Sequence, residues 1–196
     1  MPGFLPVEIA VQDGAGVRVA LQAGASRVEL CQALGLGGLT PSAASIALAV
    51  EAAAAASAPD FVHVLVRPRG GGFVYDADEL ATIVRDIRLA RSLGAHGVVV
   101  GALTAAGALD LASTAAFVDA ADGVQVTVHR AVDAAADPLG AVASLAGSGV
   151  RRVLTSGGAP DCRAGLAVHL GHHAPKHGES RTAVEGATRG EHTPHT

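Results

Sequence analysis

Six short β-branched runs recur along the chain: VEIAV from Val7, RVEL from Arg27, FVHVLVR from Phe61, GVVVG from Gly97, VQVTVH from Val124 and RRVLTS from Arg151. Each of the first five is followed by a stretch of helical character, at 14–23, 42–57, 77–93, 109–121 and 138–146. This alternation constrains the fold more than any other feature. A parallel neighbour is reached only through a crossover of a dozen or more residues, and that crossover is right-handed, so strands joined by helices lie parallel. Two architectures satisfy the pattern. A doubly wound sheet normally carries a G-x-G-x-x-G turn after its first strand, and VQDGAG at 11–16 lacks that spacing. A barrel also accommodates carboxylates inside otherwise apolar runs, Glu8 in VEIA and Glu29 in RVEL, because its interior and upper rim hold the chemistry. The expected fold is α/β, an incomplete TIM-type (β/α) barrel with about six of the eight strand–helix units that closure needs.

Local signals agree with these boundaries. Thr40-Pro41 and Asp137-Pro138 read as an N-cap followed by proline at the first helical position. GAS at 24–26, GAHG at 94–97 and GSGV at 147–150 place glycine where a helix stops in the left-handed conformation. Aromatic residues make up only 3% and the formal net charge is -4, which leaves neither a basic field nor a stacking platform for nucleic acid. The opening MPGFLPVEIAVQDG lacks a basic stretch ahead of a long apolar run, and no segment reaches the roughly 18 apolar residues of a membrane span. A cytoplasmic protein without membrane contact is expected, with Cys31 and Cys162 as thiols outside any disulfide.

Residues able to do chemistry gather where strands run into the following loops, in ELCQALGLGGLTPS, RPRGGGFVYD, HRAVDAAADP and TSGGAPD. On a barrel these loops form the active rim. Glu29, Cys31, Arg67, Arg69, His129, Arg130, Asp133 and Ser156 are therefore expected around one cleft, with Glu8 beneath it. Arg67 and Arg69 suit bidentate recognition of a carboxylate or phosphate, or else an ion pair with Glu8 or Glu29. His129 suits general-base catalysis oriented by a carboxylate, Glu29 or Asp133, or else a hydrogen-bonded place beneath a loop. Cys31 is either a soft Cu(I) ligand or a small apolar residue, and Asp133 is a catalytic partner or a loop cap.

Taken together, RVELCQALGLGGLTPS, VRPRGGGFVYDADE, VTVHRAVDAAADP and VRRVLTSGG resemble the CutC family, which is associated by name with copper homeostasis. The resemblance covers about 7–164 and implies a cytoplasmic TIM-type barrel. It places Glu8, Arg27, Glu29, Cys31, Arg67, Arg69, His129, Arg130, Asp133 and Ser156 at positions of the family pattern, and it implies copper as the ligand to test. Family chains continue through two further strands with a glycine-rich segment. Here the sequence turns instead into LAVHLGHHAPKHGESRTAVEGATRGEHTPHT.

The organisation expected is a partial barrel over 1–166 and a His-rich, disordered tail over 167–196, because such a composition buries too little apolar area to offset its ordering entropy. His169, His172, His173 and His177 in that tail are candidate ligands for an adventitious metal. Three readings of function follow. One is a copper-associated protein using Cys31. Another is an enzyme acting on a small anionic substrate with His129, Glu29 and Asp133, the substrate held by Arg67, Arg69, Arg130, Ser156 and Glu8. The third is an impaired fragment, whose unpaired outer strands invite homo-oligomers.

Overall fold

The computed structural model describes residues 6–166 and the backbone of 181–184. Strands β1 (Glu8–Val11), β2 (Arg27–Leu30), β3 (Val62–Leu65), β4 (Gly97–Val100), β5 (Gln125–Val128) and β6 (Arg152–Thr155) fall within the six β-branched runs. Helices α1 (Gly14–Gln22), α2 (Ala43–Ala55), α3 (Ala77–Ser92), α4 (Leu111–Ala121) and α5 (Pro138–Ser144) connect them. All neighbours are parallel, and the sheet order follows the chain, β1-β2-β3-β4-β5-β6. A doubly wound sheet reverses its order at a switch point. This order never reverses, so the helices stay on one side and the strands curve into a half-barrel of the TIM type.

Strand alternation sorts the side chains between two environments. Val28, Leu30, Val62, Val64, Val98, Val100 and Val126 face outward and are buried against Val17, Ile46, Ile83, Ile87 and Phe117 of the helices. Alanines at 20, 49, 53, 90, 120 and 121 belong to the same layer, and their small size lets each helix lie close to the sheet. Each fully buried aliphatic side chain contributes about 1.5–3 kcal/mol, so this layer supplies the main apolar drive for folding. The inward positions carry Glu8, Arg27, Glu29, His63, Gln125, Thr127 and Arg152, together with the apolar Leu65, Val99 and Leu154.

Helix starts are fixed by side-chain caps. Asp13, Ser42, Asp76, Asp110 and Asp137 each accept from a backbone N–H of the first turn, and Asp76 with Glu79 forms a reciprocal capping box. The cap of α2 is Ser42 and not Thr40 as expected. Thr40 instead joins the loops after β2 and β3: its Oγ1 accepts from the Arg67 N–H at 2.9 Å, and its own N–H donates to the Arg67 carbonyl at 3.0 Å.

Beyond the six strands expected, the described residues include one short further strand. β7 (Arg181–Val184) lies parallel beside β6, with Arg152 opposite Arg181 and Thr155 opposite Val184. It lies within the segment expected as a tail. The four-residue run RTAV is too short and too mixed to stand out among histidines and glycines, and it is the unsatisfied edge of β6 that gives its backbone partners. The rest of 167–196, including His169, His172, His173 and His177, lies outside the described residues.

Two glycines make room for imidazoles inside the barrel. A Cβ on Gly97 would sit 2.2 Å from Nδ1 of His63 and 2.9 Å from the Gln125 carbonyl, and one on Gly101 would sit 2.7 Å from Nδ1 of His129. Gly97→Ala is therefore expected to destabilise the fold by about 1–3 kcal/mol through overpacking. Gly35→Ala, where nothing lies within 4 Å of the added carbon, serves as the control. Urea unfolding midpoints check the pair, and equal midpoints would contradict the packing described.

Candidate functional site

His129 directly follows β5, and its N–H donates to the Val100 carbonyl at 2.8 Å, so the backbone leaves the sheet with the imidazole turned onto the rim. The Ala131 N–H donates to Nδ1 at 3.2 Å. A ring nitrogen that accepts carries no proton, so the proton of the neutral ring sits on Nε2. The residue is only 5% exposed, and Nε2 has no hydrogen-bond partner among the described residues. Burial, and then the positive charge of Arg67, hold the imidazole at a pKa of about 3. His129 is thus a neutral hydrogen-bond donor near pH 7. That differs from the expected general base: the backbone of Ala131, and neither Glu29 nor Asp133, orients the ring, and Nε2, the nitrogen buried without a partner among the described residues, already carries its proton.

Phe73, which the motif reading did not single out, stands beside it. The Phe73 and His129 ring centroids are 4.9 Å apart, and the Arg67 guanidinium carbon lies 5.0 Å from the Phe73 centroid. Arg67 itself is 6% exposed and donates to the carbonyls of Leu36 (3.3 Å), Gly37 (3.1 Å), Gly38 (3.2 Å) and Gly71 (2.6 Å). These bonds tie the loop after β2 to the loop after β3. Arg69 leaves the cleft altogether. Its fork engages Glu79 at the start of α3, its Nη2 donates to the Val74 carbonyl at 2.8 Å, and its guanidinium lies 4.9 Å from the Tyr75 ring centroid. The expected two-arginine clamp is therefore absent: one arginine fastens loops at the edge of the cleft and the other fastens a loop to a helix.

Asp133 organises the opposite side. It accepts from Arg130 Nε at 3.0 Å, from the N–H groups of Ser156 and Gly158 at 2.9 Å each, and from the hydroxyls of Thr155 and Ser156. Burial pushes its pKa up, but the bonds from Thr155, Ser156, Gly158 and Arg130 outweigh this and hold it below the usual carboxylate range. Ser156 accepts from Arg130 Nη2 at 2.7 Å. Asp133 and Ser156 thus position Arg130 and shape the loop after β6, and the carboxylate has no spare acceptor position for proton transfer.

What remains is a cleft of about 730 Å³ lined by Glu8, Glu29, Arg67, Phe73, His129 and Arg130, with Leu34, Leu65 and Leu154 on its apolar walls. Glu8 pairs with Arg27 at 3.2 Å. Cys31 is not on this lining. Fully buried, it packs with Leu65 and Val99, and its thiol donates to the Val11 carbonyl at 3.6 Å. Among the described residues no three His, Cys, Asp or Glu side chains gather as metal ligands. A copper ion does not fit Cys31 as it stands, because no set of further His, Cys, Asp or Glu ligands gathers with the thiol among the described residues.

Comparison with known proteins places this geometry in a family. The CutC family profile matches residues 5–170. A CutC protein of Porphyromonas gingivalis is 42% identical over 156 residues, which cover 80% of this chain and 61% of the relative. One of Caulobacter vibrioides is 45% identical over 153 residues, covering 78% and 60%. The chain thus spans about three fifths of the length of these curated relatives. A crystal structure from Streptococcus agalactiae, named for copper homeostasis and CutC, superposes with a TM-score of 0.81 at 28% identity, covering 91% of this chain and 87% of that one.

The two buried imidazoles give the fold a definite acid response. His63 and His129 both have folded pKa values of about 3 against an ordinary 6.5. A depressed histidine pKa means that the unfolded state binds the proton first, so the stabilisation is complete above about pH 6.5 and is lost as pH falls towards 3. The urea midpoint is expected to begin falling near pH 6.5, above the carboxylate range, and His129→Asn is expected to flatten the part between pH 6.5 and 5. A midpoint constant from pH 7 to 5 would contradict neutral, buried imidazoles.

Proposed function

The chain belongs to the CutC family, and we propose that it acts as a small-molecule-binding barrel whose rim cleft takes an anionic ligand by an oxygen at His129. One observation carries this reading: a buried imidazole with its tautomer fixed by the Ala131 N–H and its Nε2–H left without an acceptor among the described residues, at the edge of a 730 Å³ cleft. A buried donor left unmade costs about 1–3 kcal/mol, which a ligand carboxylate or carbonyl oxygen recovers. Arg130, 40% exposed and aimed by Asp133 and Ser156, adds positive charge on the same wall. Buried Arg67 adds its field from the Phe73 side. Glu29 on the cleft lining then faces the part of the ligand that bears a hydroxyl, an amine or a labile proton. If the ligand is turned over, His129 polarises an oxygen and Glu29 moves the proton. That inverts the roles that residue type alone suggests.

The name of the Streptococcus agalactiae relative supports a second reading, a role in copper homeostasis. Its residue here is Cys31, a thiol outside any disulfide and the softest donor type in the chain. The packing of Cys31 with Leu65 and Val99 favours the first reading, in which copper homeostasis is served through the small ligand and without coordination at this thiol.

A thermal-shift and calorimetric panel of two- to five-carbon carboxylates, keto acids and phosphate esters tests the first reading. A ligand that binds wild type is expected to bind His129→Phe about tenfold or more weakly, the worth of one charge-assisted hydrogen bond, with little loss of fold. Equal affinity for both proteins would contradict the proposal. Cys31→Ser is expected to leave that affinity and the Cu(I) stoichiometry unchanged. Loss of one equivalent of Cu(I) in this variant would favour coordination at Cys31.

A further inference from the structure

Helices α3 and α4 present an outer face that the rim cleft does not touch. They lie side by side, pinned near their C-terminal ends by the ion pair between Arg91 and Asp122. A groove of about 460 Å³ runs between them, lined by Leu80, Val84, Ala112, Ala116 and Phe117 along with Arg85 and Arg88. Asp119 is the only charged residue of α4, and the other exposed positions of that helix are Leu111, Ala112, Ala115 and Ala116. Leu111 is 46% exposed, and Leu89, one turn beyond Arg85 on α3, is 44% exposed. A helix that is apolar on its outer side as well as its inner one is the mark of a buried helix. The two helices join β3, β4 and β5 in the middle of the sheet order, so this face is complete whatever stands at the sheet edges.

The charges on this face are few and ordered. Asp78, Ala81, Arg85 and Arg88 follow one another along a single stripe of α3, and all four are exposed. The stripe is acidic at its N-terminal end and basic past its middle. Among the described residues the side chains of Asp78, Arg85 and Arg88 make no ion pair. Such a stripe is its own complement when a second α3 runs antiparallel to it. Ala81 precedes Arg91 by as many residues as Ala112 precedes Asp122, so the ion pair between Arg91 and Asp122 sets these two alanines level across the groove. Small side chains thus stand about midway between Asp78 and Arg85, where two antiparallel copies come closest.

From this pattern we infer that the outer face of α3 and α4 is the interface of a two-fold symmetric dimer of this chain. A two-fold axis passing by Ala81 and Ala112 runs the helices of the two copies antiparallel and sets Asp78 of each copy against Arg85 of the partner subunit, with Arg88 alongside. A contact between identical patches requires a self-complementary surface, and a stripe that runs from acid to base supplies one. Leu80, Val84, Leu111 and the alanines bring the apolar area that drives association, and the short side chains let the helix axes approach. The charge pairs lie where water reaches them, so they add little affinity and instead fix direction and register. A parallel arrangement sets Asp78 against Asp78 and Arg85 against Arg85, and that repulsion disfavours it. No residue of this face lines the rim cleft, so the dimer stands whether or not the rim binds a small anion.

Size-exclusion chromatography with light scattering on the whole chain tests this. Wild type is expected at twice the chain mass. Ala81→Glu, which places two like charges at the axis on an exposed helix position, is expected to give the monomer mass with the urea midpoint of wild type. Asp78→Arg and Arg85→Asp are each expected to weaken the dimer about tenfold or more, because each variant sets like charges against one another. Mixing those two variants is expected to restore the dimer, since an Asp78→Arg chain and an Arg85→Asp chain together recover both opposite-charge pairs. Three results would overturn the inference: a monomeric wild type, which leaves the face to a different occupant; an oligomer whose mass is the same in Ala81→Glu, as for association through the sheet edges; and a mixture that associates no better than its two components alone.

Discussion

Period-two alternation along parallel strands is the constraint from which the rest of this structure follows. Helices cover only the outer face, so every second residue of a strand is committed to the apolar layer and every other one to the barrel interior. Val62, Val64 and Val66 sit in the outer layer, while His63, Leu65 and Arg67 between them point inward. The interior then has to satisfy what it receives. At the floor Arg152 bonds His63 and Gln125, in the middle Cys31, Leu65 and Val99 form a dry plug, and at the rim His129 and Arg130 meet the cleft. The cleft runs past this packed cluster along the side of β1, from Glu8 at the strand starts to His129 and Arg130 at the rim.

The rim works by division of labour. Arg67, Arg69 and Asp133 look like ligand-binding or catalytic residues, yet each makes its bonds to the protein: Arg67 to four loop carbonyls, Arg69 to Glu79, and Asp133 to the loop after β6. Loops on a barrel are otherwise free to vary in position, and a site needs its groups held closely. These charged residues provide that hold, which leaves His129, Arg130 and Glu29 on the lining as the groups that would meet the proposed ligand. Arg67 serves twice, since the same guanidinium that fastens the loops stacks on Phe73 and depresses His129.

Much of the fold was legible in the sequence, because spacing and alternation are direct consequences of strand and helix geometry. RVEL is β2 in full, the five helical stretches match the five helices to within a few residues, and Asp137-Pro138 caps α5 as read. The cap of α2 was misplaced, since Thr40 and Ser42 are equally good caps by residue type and only the bond between Thr40 and Arg67 decides between them. β7 was missed because its pairing depends on the edge that β6 offers and hardly at all on its own composition. The candidate residues were found by type, but their roles rest on backbone partners that no side-chain pattern encodes: the Ala131 N–H for His129, and the carbonyls of 36–38 for Arg67. The floor had a signal that was not used, a polar residue at the start of five apolar runs, in VEI, RVEL, VHVL, VQVTV and RRVL.

The central claim is that His129, on the cleft lining, is a neutral imidazole whose only proton sits on Nε2. Long-range nitrogen–proton correlation on nitrogen-15-labelled protein reads both nitrogens of this ring directly. At pH 7 the account predicts that Nε2 resonates as a protonated nitrogen and Nδ1 as a bare acceptor, with neither changing between pH 8 and 5. A proton on Nδ1, or a ring that titrates near pH 6.5, would contradict it.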